Sequence, residues 1–593
     1  MSALLQQAVS AHQSGKLDEA ERLYKSVLDS QPHHPDALAL LGVVRGSRGD
    51  FDGAVGLITR AIEHDPKSAL FYVHLGNALM GAKKTPEAMN AFRKAVQLQP
   101  GMAEAHYNLA NALRASGDWE GAIASYRSAI LHNNRYPEAH NNLALALVHE
   151  KKYDDALNEA KKAVELAPNY GEGWLTLCNV AEQVKEYQLA ADAGAHNVRL
   201  LPDSHRAWFG YGVALNRLDR HDEAIAAYKR ALQLEPKRAD IWDNLGQTYQ
   251  SLNRLEEAEA TFHKTIEAAG QVIAGDGTRE IDEKEYGNRH WHLALMELLR
   301  GKYPQGFARY RARFKDVGGL KRPDFSRPLW KGESLTGKTI LITDEQGYGD
   351  TIMLARYLPM IKAQGGKVIL SVHPVLKELF ENWGGADKVI VHGDTVRGEE
   401  YDTYASVFDL PLCFKTTLET IPATVPYLNV LPPNDASKIE PTTKPKGGVV
   451  WGGSPLHSND SRRSVPLALF QKLFGNKDIQ FYSFNRDKKK GDEDILPGLP
   501  LIDLVPLFKN FAEASRFINQ MDLIITVDTA TAHLAGSLGK KVWVLLPFAP
   551  DWRWLTERSD SPWYPTARLF RQNAPGDWEG VIAQVEAALR QPL

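Results

Sequence analysis

Asp528, Thr529, Thr531 and His533 stand within six residues of one another in "LIITVDTATAHLAGSLGKKVWVLLP". An apolar run precedes them and a small-residue segment comes after, so they fall where a strand gives way to a helix. The first turn of a helix leaves backbone N–H groups unpaired and carries partial positive charge, which suits a phosphate. A residue as small as Ala530 allows close approach, and the threonine hydroxyls add donors. A plainer reading stands beside this one: Asp is a good helix cap, and a lone His on a helix is a good packing residue.

Two other segments put chemistry-bearing residues at strand ends. In "QGYGDTIMLARYLP", Gly347 and Gly349 lead to Asp350 at a helix start, where a carboxylate serves equally as a cap or as a general base. Both glycines are expected to form the turn. In "WGGSPLHSNDSRRSVPLALF", Trp451 ends a strand, Gly452 and Gly453 turn, and Arg462 and Arg463 come next. The planar fork of arginine donates in pairs to phosphate oxygens. Adjacent arginines on a loop are often only solvated, but a position just after a strand favours the phosphate reading, with either residue suited to the contact.

The elements that would position these residues alternate. From about Gly337, "KTILIT", "KVILSV" and "KVIVHG" read as strands separated by helical stretches. After the linker-like "LPPNDASKIEPTTKPKGG", the runs "GVVWGG", "IQFYSF" and the segment from Leu523 repeat the alternation. Strand and helix in turn predict parallel, doubly wound α/β sheets in two halves, with ligands beyond the carboxyl ends of the strands.

Everything before that is repeated. Ala20, Ala54, Ala88, Ala122, Ala156, Ala190, Ala224 and Ala258 recur at steps of 34 residues (54 − 20, 88 − 54 and so on), most followed four residues later by a bulky side chain. Pro66, Pro100, Pro168, Pro202 and Pro236 close units. This is the tetratricopeptide pattern, an α-solenoid of paired helices. The sixth unit departs from it with Gly194 and Asn197, and is expected to be looser or bent. Asn77, Asn111 and Asn179 share one register position (111 − 77 is 34) and Asn108, Asn142 and Asn244 another. Asn is a mediocre helix former, so rows of it predict amides that grip the backbone of an extended peptide. The expected boundaries are 1–270 for the repeats, 271–318 for a degenerate helix pair docking them, 319–435 and 436–593 for the two α/β halves.

Composition sets no competing direction. Lys and Arg number 70 against 73 Asp and Glu, so no global field calls for nucleic acid. Cys178 and Cys413 form no CxxC, which argues against a disulfide framework or thiolate metal site. No apolar stretch reaches membrane-spanning length, and the amphipathic start is no signal sequence; a soluble, cytoplasmic protein is expected. The D-x-D at Asp492 and Asp494 comes after "RDKKK" and reads as solvated surface, not as a metal site.

"DTATAHLAGSLGKKVWVLL" resembles the D-T-x-x-x-H-x-A signature of the heptosyltransferase-like GT-B glycosyltransferases, and "GYGDTIMLARYLP" is similar to that family's first-domain G-D segment. The family often has Lys where this chain has Arg462 and Arg463, and Gly where it has Ala530. With tetratricopeptide repeats in front, the chain resembles bacterial protein glycosyltransferases, including those that modify flagellins, and shares the domain order and Asn ladder of the protein O-GlcNAc transferases. The resemblance implies a GT-B fold of two Rossmann-like domains. It implies Asp350 as catalytic base, and donor contacts from Gly347, Gly349, Trp451, Arg462 or Arg463, Asp528, Thr529, Thr531 and His533. Trp552, Arg553 and Trp554 would border the donor base or acceptor, with Trp563 and Tyr564 as packing residues. The expected reaction is inverting, independent of metal or resident cofactor, and moves a sugar from a nucleotide-sugar co-substrate to Ser or Thr of a protein such as flagellin. The donor is either a nucleoside diphosphate sugar or a CMP-activated nonulosonic acid such as pseudaminic acid. A repeat adaptor or export chaperone without activity, and a transferase acting on lipopolysaccharide, are the competing expectations.

Overall fold

The 34-residue period resolves into eight antiparallel helix pairs, the first Ala3–Gln13 with Leu17–Ser30 and the last Ala239–Ser251 with Leu255–Asp276. The computed structural model describes residues 3–276, 283–314, 325–345, 347–392, 400–429, 432–434, 437–455 and 459–591. Every alanine of the period is wholly buried. The pairs approach closely because one helix supplies a glycine where the other supplies bulk. A Cβ added at Gly42, Gly76 or Gly212 would lie 2.6, 2.4 and 2.6 Å from Ile58, Phe92 and Tyr228. The turn inside each pair demands left-handed backbone at one register position. Gly15, Gly49 and Gly117 meet it at φ of 73°, 85° and 86°, but Lys83, Lys151, Lys185, Asp219 and Asn253 meet it at 55–66°. The sixth pair is not simply looser: Gly194 admits the backbone of Tyr211, whose Cα would lie 2.9 Å from an added Cβ. Asn197, in the position of an alanine, is fully buried with no hydrogen-bond partner for its amide among the described residues.

The chain divides into two units, Met1–Pro236 and Lys237–Leu593. The division falls before the expected boundary at 270 because the eighth pair is tied to the helices after it. His292 bonds Asp243 at 2.8 Å, Lys302 reaches Glu259 at 2.6 Å, and Arg300 joins Glu259 as well. The degenerate helices Glu283–Leu299 and Tyr303–Tyr310 pack onward. Tyr303 accepts a hydrogen bond at 3.2 Å from the Trp563 indole, and wholly buried Arg313 donates twice to Glu345, each at 2.6 Å.

Two parallel sheets fill the rest of the second unit. The first holds β1 (Thr339–Thr343), β2 (Lys367–Val372), β3 (Lys388–Val391) and β4 (Thr403–Ser406) in the order β3-β2-β1-β4. The second holds β5 (Lys446–Val450), β6 (Gln480–Ser483), β7 (Leu501–Asp503), β8 (Leu523–Val527), β9 (Val542–Leu546) and β10 (Ala567–Arg571). Its order is β10-β9-β8-β5-β6-β7, so the winding direction reverses between β5 and β8. The carboxyl ends of two strands at such a reversal frame a crevice. One face of this sheet carries the core of Val449, Ile525, Leu545, Phe470 and Phe481, closed by Trp578, Val581 and Val585 of the final helix. Burying each such side chain contributes about 1.5–3 kcal/mol, which makes the second sheet a firm base for the loops at its ends.

Candidate functional site

The loops after β5 and β8 meet at that reversal. Arg463 Nη1 donates to the backbone oxygen of Asp528 at 3.1 Å, which joins the arginine loop to the Asp528 turn. The guanidinium fits because residue 453 is glycine: a Cβ there would lie 2.7 Å from Arg463 Nη2. Arg462 is exposed, so the two arginines, equivalent in sequence, separate in space. Lys489 closes the loop from the side, donating to the Gly453 oxygen at 3.1 Å and pairing with Asp460.

Two expectations for this region are corrected. Trp451, expected among donor contacts, has a wholly buried side chain whose indole donates to Asp492 at 2.9 Å, so its ring belongs to the core. Asp492 is accordingly no solvated residue; it also accepts from the Lys489 backbone at 2.9 Å, while Asp494 is exposed as expected. The segment "RDKKKGDED" reads as surface because its charges are dense, yet one Asp and one Lys of it hold the site.

Thr529 caps the helix Ala530–Ser537 by position, and its Oγ1 lies 3.0 Å from that of Thr526. Thr531 is half-buried in the first turn. His533 is buried beneath them, its Nδ1 3.0 Å from the Tyr564 hydroxyl and its ring stacked on Trp554 at 5.4 Å. Burial, with Arg553 and Arg356 nearby, drives the imidazole pKa well below its ordinary value. A neutral imidazole brings no charge to a phosphate, so His533 supports the turn from below. Burial also raises the Asp528 carboxyl to about 6, with Asp551 adding to the rise and Arg553 and Arg463 opposing it.

The first sheet contributes from its own carboxyl end. Gly347 occupies the cap position of the helix Tyr348–Leu354, and Asp350 lies in the first turn, so the carboxylate is not the cap. Gly349 is no turn former. It is helical and buried, and a Cβ there would lie 2.6 Å from His533 Cδ2 and 3.2 Å from Ala530 Cα. Asp350 pairs with Arg553 Nη2, and Arg553 Nη1 lies 2.6 Å from Asp551. Burial raises the Asp350 carboxyl above its usual range, with the Arg553 charge opposing the rise. Beneath, buried Arg356 donates to the Trp563 oxygen at 2.6 Å and sits 4.7 Å from the ring centres of Tyr427 and Tyr564.

Sequence alone singles out neither Arg356, Lys489 and Asp551 nor the pairing of Asp350 with Arg553. Arg356 does leave a signal: it is the one cation in the apolar run between Asp350 and Pro359. Asp551 leaves none, since an aspartate in a Trp-rich loop has no distinctive spacing.

In the first unit, the Asn rows are partly spent on the protein itself. Asn111 Oδ1 accepts from Tyr126 at 2.6 Å and from Asn142 at 3.1 Å, and Asn142 also donates to Tyr107 at 3.0 Å. Asn77 and Asn179 are exposed, and Asn108 is half-buried. Asn244, in the second unit, donates to its own helix at Asp240 O, 2.9 Å away.

Among the described residues no group of three or more His, Cys, Asp and Glu is placed to hold a metal ion, and no helix is long and apolar enough to cross a membrane. Both cysteines are free thiols.

Comparison with known proteins addresses the repeats. Residues 44–103 and 107–171, and again 11–73 and 202–274, match family descriptions of the tetratricopeptide repeat. These are tetratricopeptide repeats. The chain is 27% identical to Protein FlbA of Caulobacter vibrioides over 334 residues, which is 50% of this chain and 55% of that one. It is 36% identical to Rhomboid protease GluP of Bacillus subtilis over 83 residues, 14% of this chain and 16% of that one. The chain thus spans about half, or less, of the length of these curated relatives. Solved structures that resemble it include YrrB, a tetratricopeptide-repeat protein with an unusual peptide-binding site (21% identity, TM-score 0.28, 30% of this chain and 93% of that one). The Cut9–Hcn1 assembly is another (18% identity, TM-score 0.35, 49% of this chain and 55% of that one).

Proposed function

We propose that the chain is a protein O-glycosyltransferase of the inverting kind, with a GT-B region that takes a nucleotide sugar and tetratricopeptide repeats that hold the acceptor protein. The observation that carries the reading is convergence. Three segments with separate chemistry, around Asp350, Arg463 and Asp528, meet near strand carboxyl ends: Arg463 bonds the Asp528 backbone, Gly349 touches His533 and Ala530, and Asp350 pairs with Arg553.

In the reaction, a Ser or Thr hydroxyl of the acceptor attacks the anomeric carbon. Asp350 accepts the hydroxyl proton as the bond from that carbon to the phosphate oxygen breaks. The departing phosphate is met by Arg463 and by the start of the Ala530–Ser537 helix. A single displacement inverts the anomeric centre. The raised pKa of Asp350, whose side chain is 14% exposed, suits a base that must hold a proton once it has taken one. The repeats are superfluous for a glycolipid acceptor but apt for a protein. Flagellin is proposed as acceptor on the strength of the family resemblance.

Intact-mass spectrometry of acceptor proteins, flagellin among them, tests this in cells with the wild-type chain and with Asp350→Ala. A sugar-sized mass increment lost in the variant is the expected result. Acceptor masses identical in the two strains, with no nucleotide sugar bound by the purified protein, would turn the reading towards an adaptor.

A further inference from the structure

Arg553 holds its guanidinium between two carboxylates. Nη2 pairs with Asp350 and Nη1 with Asp551, and the side chain is only 11% exposed. Its Nε is buried and has no hydrogen-bond partner among the described residues. Arg463 Nε is in the same condition, since Asp460 is 3.7 Å away and beyond hydrogen-bond reach. Arg463 Nη1 donates to the Asp528 backbone oxygen, and Trp554, next to Arg553 in the chain, stacks on His533 of the helix that follows Asp528, so both arginines stand by one turn. A buried N–H without an acceptor is unfavourable. Two of them beside the same turn suit a ligand rich in acceptor oxygens.

We propose that Arg553 is a phosphate contact held in reserve: Asp350 and Asp551 occupy it in the free protein, and a phosphate-bearing ligand at the Asp528 turn takes it from them. The naming of that ligand as a sugar nucleotide rests on the proposed function, but the exchange does not. A guanidinium pairs with carboxylate and phosphate through the same fork, and a diphosphate brings two negative charges to it. Once Arg553 moves, Asp350 keeps its burial and loses its cation. A desolvated carboxylate without a cation binds a proton more readily. The base would therefore become stronger once the donor has bound, which favours the donor binding before the acceptor hydroxyl.

Because the carboxylates compete with the ligand, removing one should strengthen anion binding. Calorimetric titration of the full chain with inorganic pyrophosphate measures this directly. Asp350→Asn and Asp551→Asn should each bind pyrophosphate about tenfold more tightly than wild type. Adding Arg553→Gln to either should return the affinity to the wild-type level or below. Absence of tightening, or tightening that survives Arg553→Gln, overturns the proposal, as does failure of every variant to bind pyrophosphate. Should Asp350→Asn fail to fold by circular dichroism, Asp551→Asn carries the same test. Tightening in a protein that binds no nucleotide sugar would leave the exchange standing and remove glycosyl transfer. Nucleotide-sugar binding without tightening would do the reverse.

Discussion

Gly349 and His533 are in contact across the two sheets, so close that a Cβ on residue 349 would lie 2.6 Å from the imidazole Cδ2. The imidazole cannot retreat, because Trp554 stacks on it and Tyr564 bonds it. Gly349→Ala should therefore destabilise the protein by about 1–3 kcal/mol, the usual range for overpacking. Gly347→Ala should be far milder, since its Cβ would meet only an Asp350 oxygen at 3.3 Å. Urea unfolding of the two variants separates these outcomes; equal effects would mean that the contact between the sheets gives way easily.

The repeats offer a gain rather than a loss. Lys83 and Lys151 both have φ of 58° at the turn position that Gly15, Gly49 and Gly117 fill elsewhere. A side chain in this region costs about 1–2 kcal/mol, partly offset by the entropy that glycine loses on folding. Lys151→Gly should raise stability by up to about 1 kcal/mol, read as a higher melting temperature in the full chain.

The two adjacent arginines should behave differently. Arg463 donates to Asp528 O and lies over Gly453, while Arg462 is exposed. If the crevice takes a nucleotide sugar, Arg463→Ala should weaken its binding by about ten- to a hundredfold, the loss of one charged hydrogen-bonding group. Arg462→Ala should leave it within a factor of about two. Titration calorimetry with a panel of nucleotide sugars reads both. Equal losses would show that the loop, not one guanidinium, makes the contact.

Much of this architecture is legible in the sequence, and the reasons differ by element. A 34-residue repeat is written redundantly, so eight helix pairs can be counted from alanines alone. Alternating strand and helix implies the parallel sheets, since consecutive parallel strands require a crossover. The candidate site is legible where a residue type sits at a strand end, as for Asp350, the Arg462–Arg463 pair and Asp528, but which arginine turns inward is not. It is not legible where a role depends on a distant partner. Gly349 reads as a turn former until His533 is beside it, Trp451 as a ligand contact until Asp492 takes its indole. Asn111 and Asn142 read as open amides, but bond one another and their tyrosine neighbours. Local sequence specifies local backbone; long-range pairing decides which side chains are left to act.

The partly buried Asp528 carboxyl and the buried His533 imidazole should pull stability in opposite directions with pH. Asp528 titrates at about 6 when folded against about 3.9 for an unperturbed Asp. The folded state therefore binds the proton more tightly, and this contribution is complete below about pH 4 and lost as pH rises through about 6. His533 is lowered, so the unfolded chain takes its proton first, and stability falls as pH drops through about 6.5. Relative to wild type, Asp528→Asn should gain stability between about pH 4 and pH 7, whereas His533→Gln should gain relative stability on going from about pH 7 to pH 5. Denaturant unfolding across that range checks each slope, using the difference from wild type so that the remaining carboxylates cancel. A flat difference for Asp528→Asn would mean that Arg553 and Arg463 offset its burial completely. In that case the turn would stay negatively charged down to about pH 4, as an unperturbed Asp does, and the anion reading would rest on the arginines at every pH above that.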